Sequence, residues 1–377
     1  DRPRRRRDAQ GRQRPRPVNR SPSPPRRPAP SDNGAATPGR DVARPHPTAA
    51  RTLAYRFAKR PLLAAARLAT AHRRTLPNAI ILGAQKAGTT SLLEHLAKHP
   101  LVFPAAVKEP HFFDARLRWR RRYRAHFPRI EHIERAAAAF DDASRADADA
   151  PSPAPSPPPT PIVIEATPYY LAHPACPRRI AAALPAVRCI AVLREPAARA
   201  LSHYHHNRRL GLEPLPSFDD ALHAEPHRLH DLDRRLERAR FARSPAHQHW
   251  SYALRGHYAE QLERFAGRLG RDRLLVLFAE ELFHDPDAAT RRVERHLHLP
   301  PFHDYAPFPR SNAAPSPPPS STSEPTAPSA APAPSAPSAA PADADRDALQ
   351  QLRDAFAAPN RQLADWLGRD LPPSWPR

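Results

Sequence analysis

The sequence predicts an α/β fold with three layers around a central parallel sheet, flanked by disordered Pro/Ala/Ser-rich segments. Three observations carry this expectation. Four short apolar runs read as buried strands, and helical patterns alternate with them. The first run passes through a Gly-bounded loop directly into a helix. The chain holds 52 Pro against only 10 Gly. The excess lies mainly in residues 2–47, 151–161 and 315–341, which cannot bury enough apolar surface to offset backbone ordering.

The elements follow in order. Residues 1–76 form a basic Pro/Arg-rich arm, within which residues 57–71 read as a short basic amphipathic helix. There Lys59, Arg60 and Arg67 interrupt an otherwise apolar stretch. Ala79-Ile80-Ile81-Leu82, ending at Gly83, is the first strand. Residues 90–99 then carry Leu92, Leu93 and Leu96 at helical spacing, with Pro100 as a stop. A basic helical segment is expected over 116–140, and a low-complexity insert over 141–161. Ile162-Val163-Ile164-Glu165 and Arg188-Cys189-Ile190-Ala191-Val192-Leu193 are the next two strands. Pro196 suits the first turn of a helix reaching about Arg209. A long helix is predicted over 252–269 and a fourth strand over 274–278, followed by Glu280-Glu281-Leu282 and another helix through Leu297. Residues 313–343 form a second disordered insert, and 346–367 a terminal amphipathic helix. The expected organisation is therefore an arm (1–76), one domain (77–312), the insert, and the domain's C-terminal helix (344–377).

Charge narrows the function classes. Of the net +21, residues 1–74 account for 20 Lys and Arg against four Asp, leaving +5 for the rest. A basic tail on a mildly basic body fits non-specific attraction to acidic polymers or membrane surfaces, not a specific nucleic-acid site. Cys176 and Cys189 are too few for a disulfide framework. No run approaches the ~18 apolar residues of a membrane-spanning helix. With no Met and Asp1 first, the native N-terminus is expected to be missing, which leaves membrane attachment through such a segment open.

The loop Gly83-Ala84-Gln85-Lys86-Ala87-Gly88-Thr89-Thr90 stands between a strand and a helix. There backbone N–H groups and the helix dipole favour an anion, as in a P-loop-type fold. It departs from the NTPase form GxxxxGK[ST]: Thr89 occupies the Lys position, and the Lys of the loop is Lys86. Downstream, Arg194 leaves a buried strand and Ser202 lies two turns into the next helix, so a guanidinium and a hydroxyl can converge on one phosphate. Between these segments stands Lys108-Glu109-Pro110-His111-Phe112-Phe113-Asp114. In an extended segment Glu109 and His111 project to the same side. His203, His205 and His206 do not share a metal-ligating face, and His247 with His249 is no better, so no metal is expected.

Residues 80–91, IILGAQKAGTTS, closely resemble the 5′-phosphosulfate loop of sulfotransferases that use 3′-phosphoadenylyl sulfate (PAPS). The KEPHFFD segment resembles the carbohydrate, heparan-sulfate-like branch of that family. The resemblance spans about residues 78–286, with a weaker match over 346–375. It implies PAPS as donor, bound by Gly83, Lys86, Ala87, Gly88, Thr89, Thr90, Ser91, Arg194 and Ser202. It implies Glu109 as general base, Lys86 on the leaving phosphate, His111 in support, Asp114 on the substrate or anchoring its loop, and a carbohydrate hydroxyl or amine as acceptor. It also implies a luminal Golgi location, with which the Asn19-Arg20-Ser21 sequon is compatible. Two departures stand out. Ala166 occupies a position where the branch often has Lys, and Arg310-Ser311-Asn312 stands where the family has a Lys-Gly-Arg loop. The competing readings are a P-loop nucleotide kinase, against which Thr89 argues, and a catalytically degenerate module binding acidic polymers.

Overall fold

The structure, a computed structural model, describes residues 60–115, 120–146, 160–238, 244–309 and 343–376. Five parallel strands form its sheet: β1 (Ala79–Gly83), β2 (Val102–Pro104), β3 (Ile162–Ala166), β4 (Arg188–Leu193) and β5 (Leu274–Phe278), in the order β2-β3-β1-β4-β5. Every residue of β1 and β3 is buried, so both faces of the sheet are covered. That double burial explains why the strands read as continuous apolar runs instead of alternating ones.

The helices are α1 (Arg60–Ala69), α2 (Thr89–Leu96), α3 (Arg120–Arg124), α4 (Ile130–Ala146), α5 (Cys176–Ala183), α6 (Pro196–Arg209), α7 (Phe218–Leu229), α8 (Leu232–Arg238), α9 (Pro245–His249), α10 (Tyr258–Leu269), α11 (Ala279–His284), α12 (Pro286–Leu297), α13 (Asp343–Ala355) and α14 (Ala357–Leu367). Helix α2 packs on β1 and β3, while α12 packs on β4 and β5. The chain leaves β1 towards β2 on one side and β4 towards β5 on the other, so the sheet's switch point lies between β1 and β4. In open α/β sheets that crevice, beyond the strands' carboxyl ends, is where ligands bind.

Several expectations change. Residues 60–74, placed in the arm by composition, are built into the body: Arg67 donates to the carbonyls of Ala125 (2.7 Å), His126 and Phe127, and Arg74 to that of Phe127 at 2.6 Å. The single basic helix expected over 116–140 is two helices, since Pro128 cannot continue α3. Helix α4 runs to Ala146, into the low-complexity tract. The helix expected over 252–269 begins only at Tyr258, after a 3₁₀ turn at Leu254–Gly256. The helix expected through Leu297 begins at Pro286, where the Asp285 side chain caps α12 by accepting from Ala288 N–H, and Glu280-Glu281-Leu282 lies in the separate short helix α11. The C-terminal helix is likewise two, α13 and α14: Pro359 has no N–H to donate and is tolerated only in a first turn. Strand β2 was not anticipated. The inserts and the Arg310-Ser311-Asn312 region fall mostly outside the described residues.

Candidate active site

The turn after β1 is shaped by its glycines. Gly83 has φ +153, and a Cβ there would lie 2.7 Å from the Pro168 carbonyl oxygen. Gly88, the N-cap of α2, has φ +94, and its Cβ would meet the Phe283 ring at 2.9 Å. Only residues without a side chain let the loop pass so close to these walls. No side chain caps α2, so the first-turn N–H groups at Thr89 and Thr90 have no capping partner at the positive end of the helix, an arrangement that favours an anion. Lys86 itself sits at φ +70. Burial lowers its ammonium pKa, and the charges of Arg209, Arg194 and Lys108 push the same way. A bound anion relieves that mutual repulsion.

Arg194, at the exit of β4, donates to the Lys86 carbonyl at 3.2 Å and ties the two strand ends together across the switch point. Glu195 begins α6 by accepting from the N–H groups of Ala197 (2.9 Å) and Ala198 (2.7 Å). That cap aims the face carrying Glu195, Ala198 and Ser202 at the crevice.

One cavity of about 650 Å³ is lined by Lys86, Ala87, Gly88, Thr89, Thr90, Glu109, Arg194 and Ser202, together with Gln85, Lys108, His206, Glu280, Phe283, Arg353 and Ser374. Most of the residues singled out from sequence thus meet at one place, from three separated segments. Gly83 and Ser91 lie off the wall: Gly83 is pressed against Pro168 and Leu171, and Ser91 is fully buried.

The Lys108–Asp114 segment differs from its expected extended form. Glu109 and His111 both have φ +51, in the left-handed region, which costs of order 1–3 kcal/mol each. The surroundings hold them there. The Tyr170 hydroxyl accepts from Phe112 N–H at 2.8 Å and Phe113 N–H at 3.3 Å, and Arg179 donates to the Phe113 carbonyl at 2.6 Å. Glu109 and His111 meet all the same, with Oε2 3.4 Å from Nε2. His111 Nδ1 lies 2.7 Å from Asp114 Oδ2. Burial disfavours the imidazolium, but the Asp114 and Glu109 carboxylates outweigh it and raise the His111 pKa to about 9. At neutral pH His111 is therefore a cation clamped between two carboxylates, and Glu109 is the one that reaches the cavity. Asp114 is 2% exposed and off the wall of this cavity, with its carboxylate turned to His111.

Below the cavity floor, Glu165 at the end of β3 is fully buried and accepts from Tyr123 Oη and from Thr167 Oγ1 at 2.7 Å. Burial pushes its carboxyl up to about 7 against those hydrogen bonds. Ala166, 5% exposed, closes the strand without contributing a charge.

Sequence reasoning missed two cations. Arg255, 3% exposed, donates to Ser251 Oγ (2.8 Å) and the Gln248 carbonyl (2.6 Å), reaches Gln85 Oε1, and stacks 4.8 Å from the Tyr169 ring. Burial lowers its pKa to about 10, so it stays charged at neutral pH and supports the loop from behind. Arg353 enters the wall from α13, far along the chain. Neither gave a local signal, because an Arg in a helical pattern reads as surface. Among the described residues no group of His, Cys, Asp or Glu is arranged to hold a metal ion.

Comparison with known proteins bears on this geometry. Heparan sulfate glucosamine 3-O-sulfotransferase 6 of Homo sapiens is 31% identical over 232 residues, covering 60% of this chain and 54% of its own. The membrane-associated sulfotransferase kil1 of Dictyostelium discoideum is 29% identical over 159 residues, 40% of this chain and 28% of its own. The chain thus spans about half or less of the length of these curated relatives. A crystal structure of a sulfotransferase from Alicyclobacillus acidocaldarius superposes with a TM-score of 0.50 at 25% identity, over 79% of this chain and 98% of that one. The family model described as "Sulfotransferase domain" matches residues 76–306 of this chain, which contain the whole sheet, the β1 loop and the β4 exit, and so the chain belongs to the sulfotransferase family.

Proposed function

We propose that this chain transfers a sulfuryl group from PAPS to a hydroxyl or amine of a carbohydrate acceptor. The observation that carries the reading is the single cavity that joins Lys86, Thr89, Thr90, Arg194, Ser202 and Glu109. A bisphosphorylated nucleotide fits what the cavity offers. The uncapped N-terminus of α2 with Thr89 and Thr90 takes the 5′-phosphate end, Lys86 reaches the bridging oxygen, and Arg194 with Ser202 takes the 3′-phosphate. The donor supplies the activated sulfuryl group. The acceptor oxygen or nitrogen forms its bond to sulfur as the sulfur–oxygen bond to the 5′-phosphate breaks, in line. Glu109 takes the acceptor proton, and the Lys86 ammonium offsets the charge that builds on the departing phosphate oxygen. The His111 cation holds the Glu109 carboxylate in place, and Asp114 holds His111.

A carbohydrate acceptor is supported by the KEPHFFD segment and by the likeness to a heparan sulfate sulfotransferase. A Golgi-type membrane setting belongs to the same reading, supported by the likeness to a membrane-associated sulfotransferase. No helix among the described residues is long and apolar enough to cross a membrane. The test is transfer of radiolabelled sulfate from PAPS across a panel of polysaccharides, glycolipids and small phenols. Label on a polysaccharide is expected; label only on phenols overturns the acceptor class, and label on nothing overturns the reading.

A further inference from the structure

We infer that the C-terminal helical segment completes the nucleotide cavity, and that Arg353 on α13 is a further ligand of the 3′-phosphate, beside Arg194 and Ser202. This rests on the PAPS reading above. The segment lies beyond the matched domain, residues 76–306, and returns to the cavity after residues 310–342.

The wall formed by α6 carries Glu195, Ala198 and Ser202, spaced by three and four residues, so the three stand in one row along the helix. Helix α13 packs along α6: Ala348 is buried in a cluster with Ala200, Tyr204, Phe218 and Tyr252, and Leu352 adjoins it. Asp345 fixes the start of α13 by accepting from Phe218 N–H at 2.8 Å. This packing delivers the next side chain, Arg353, to the same row.

Arg353 Nε sits 3.7 Å from Glu195 Oε2 and makes no hydrogen bond. Both Glu195 oxygens are already engaged in capping α6. The guanidinium is therefore held at the rim by a loose ion pair, with its side chain 39% exposed, and keeps its fork free for an oxyanion. The rest of the segment is fastened at the same wall. Trp375 Nε1 donates to Glu280 Oε1 at 3.0 Å, the carboxylate oxygen that also accepts from Glu195 N–H at 3.2 Å. Arg369 Nη1 donates to Glu281 at 2.9 Å, and Ser374 lines the cavity. The geometry makes residues 343–376 a wall of the donor site, and Arg353 its cation.

The test is calorimetric titration of wild-type, Arg353→Gln and Arg353→Lys chains with two probes, adenosine 3′,5′-bisphosphate and adenosine 5′-monophosphate. Loss of a charge-assisted contact predicts that Arg353→Gln binds the bisphosphate about 10-fold or more weakly, with monophosphate affinity unchanged and Arg353→Lys retaining part of the preference. Unchanged bisphosphate affinity in Arg353→Gln overturns the inference. So does an equal loss for both probes, which marks a packing role. A wild-type chain with no preference for the bisphosphate overturns the PAPS reading itself.

Discussion

The His111 clamp gives a pH signature that can be worked out from the structure. Replacing Asp114, 2% exposed, by Asn removes one of two carboxylates that face the imidazole. With both present the His111 pKa stands at about 9 against an ordinary 6.5. At about 1.4 kcal/mol per pKa unit, that difference is worth about 3 kcal/mol of folding free energy. The folded-state pKa is raised, so this stabilisation is complete below pH 6.5 and is lost as pH rises through 9. Urea unfolding of the wild-type, Asp114→Asn and His111→Gln chains at pH 6, 7.5 and 9.5 reads it directly. The gap between wild type and His111→Gln is expected to narrow by about 3 kcal/mol over that range. The gap for Asp114→Asn narrows in the same direction. A gap that stays constant with pH, or widens towards pH 9.5, refutes the clamp.

Three further outcomes follow from the same geometry. Gly88→Ala forces a Cβ to 2.9 Å from the Phe283 ring at φ +94, so a Tm lower by roughly 5 °C and weakened nucleotide affinity are expected in thermal melts and titrations. Glu165→Gln removes a buried carboxylate whose pKa of about 7 makes it costly to ionise; chemical denaturation is expected to show no gain at pH 4.5 and a gain of up to about 3 kcal/mol at pH 8. A Glu165→Gln chain that is less stable than wild type at pH 8 contradicts this. Arg255→Lys keeps the charge but not the fork that spans Gln85, Ser251 and Gln248; a rise of about 10-fold in KM for PAPS with native circular dichroism is expected, and an unchanged KM rules out support of the loop.

Much of the sheet could be read from the chain because fully buried parallel strands leave continuous apolar runs. The predicted bounds of β4 and of the helix opened by Pro196 coincide with the observed ones. The turn between β1 and α2 was legible because glycines at fixed spacing between an apolar run and a helical pattern are a local signal. Strand β2 was not, since three residues carry no periodicity and its existence depends on pairing with β3. Helix α7 was not anticipated, although Ser217 caps it by accepting from Asp220 N–H at 3.0 Å and Pro226 stands inside it. The left-handed backbone at Glu109 and His111 is imposed by Tyr170 and Arg179, some sixty residues away, and no local preference announces it. Arg353 reaches the cavity only through the packing of α13 on α6, which is a tertiary fact.

The central claim is that one cavity binds the donor and that Glu109 then moves the acceptor proton. It is tested most directly by measuring adenosine 3′,5′-bisphosphate affinity and single-turnover sulfuryl transfer on the same Glu109→Gln preparation. Bisphosphate affinity close to that of wild type is expected, with transfer reduced about 100-fold or more. Transfer that survives in Glu109→Gln, or bisphosphate binding that disappears with it, rules out Glu109 as the base.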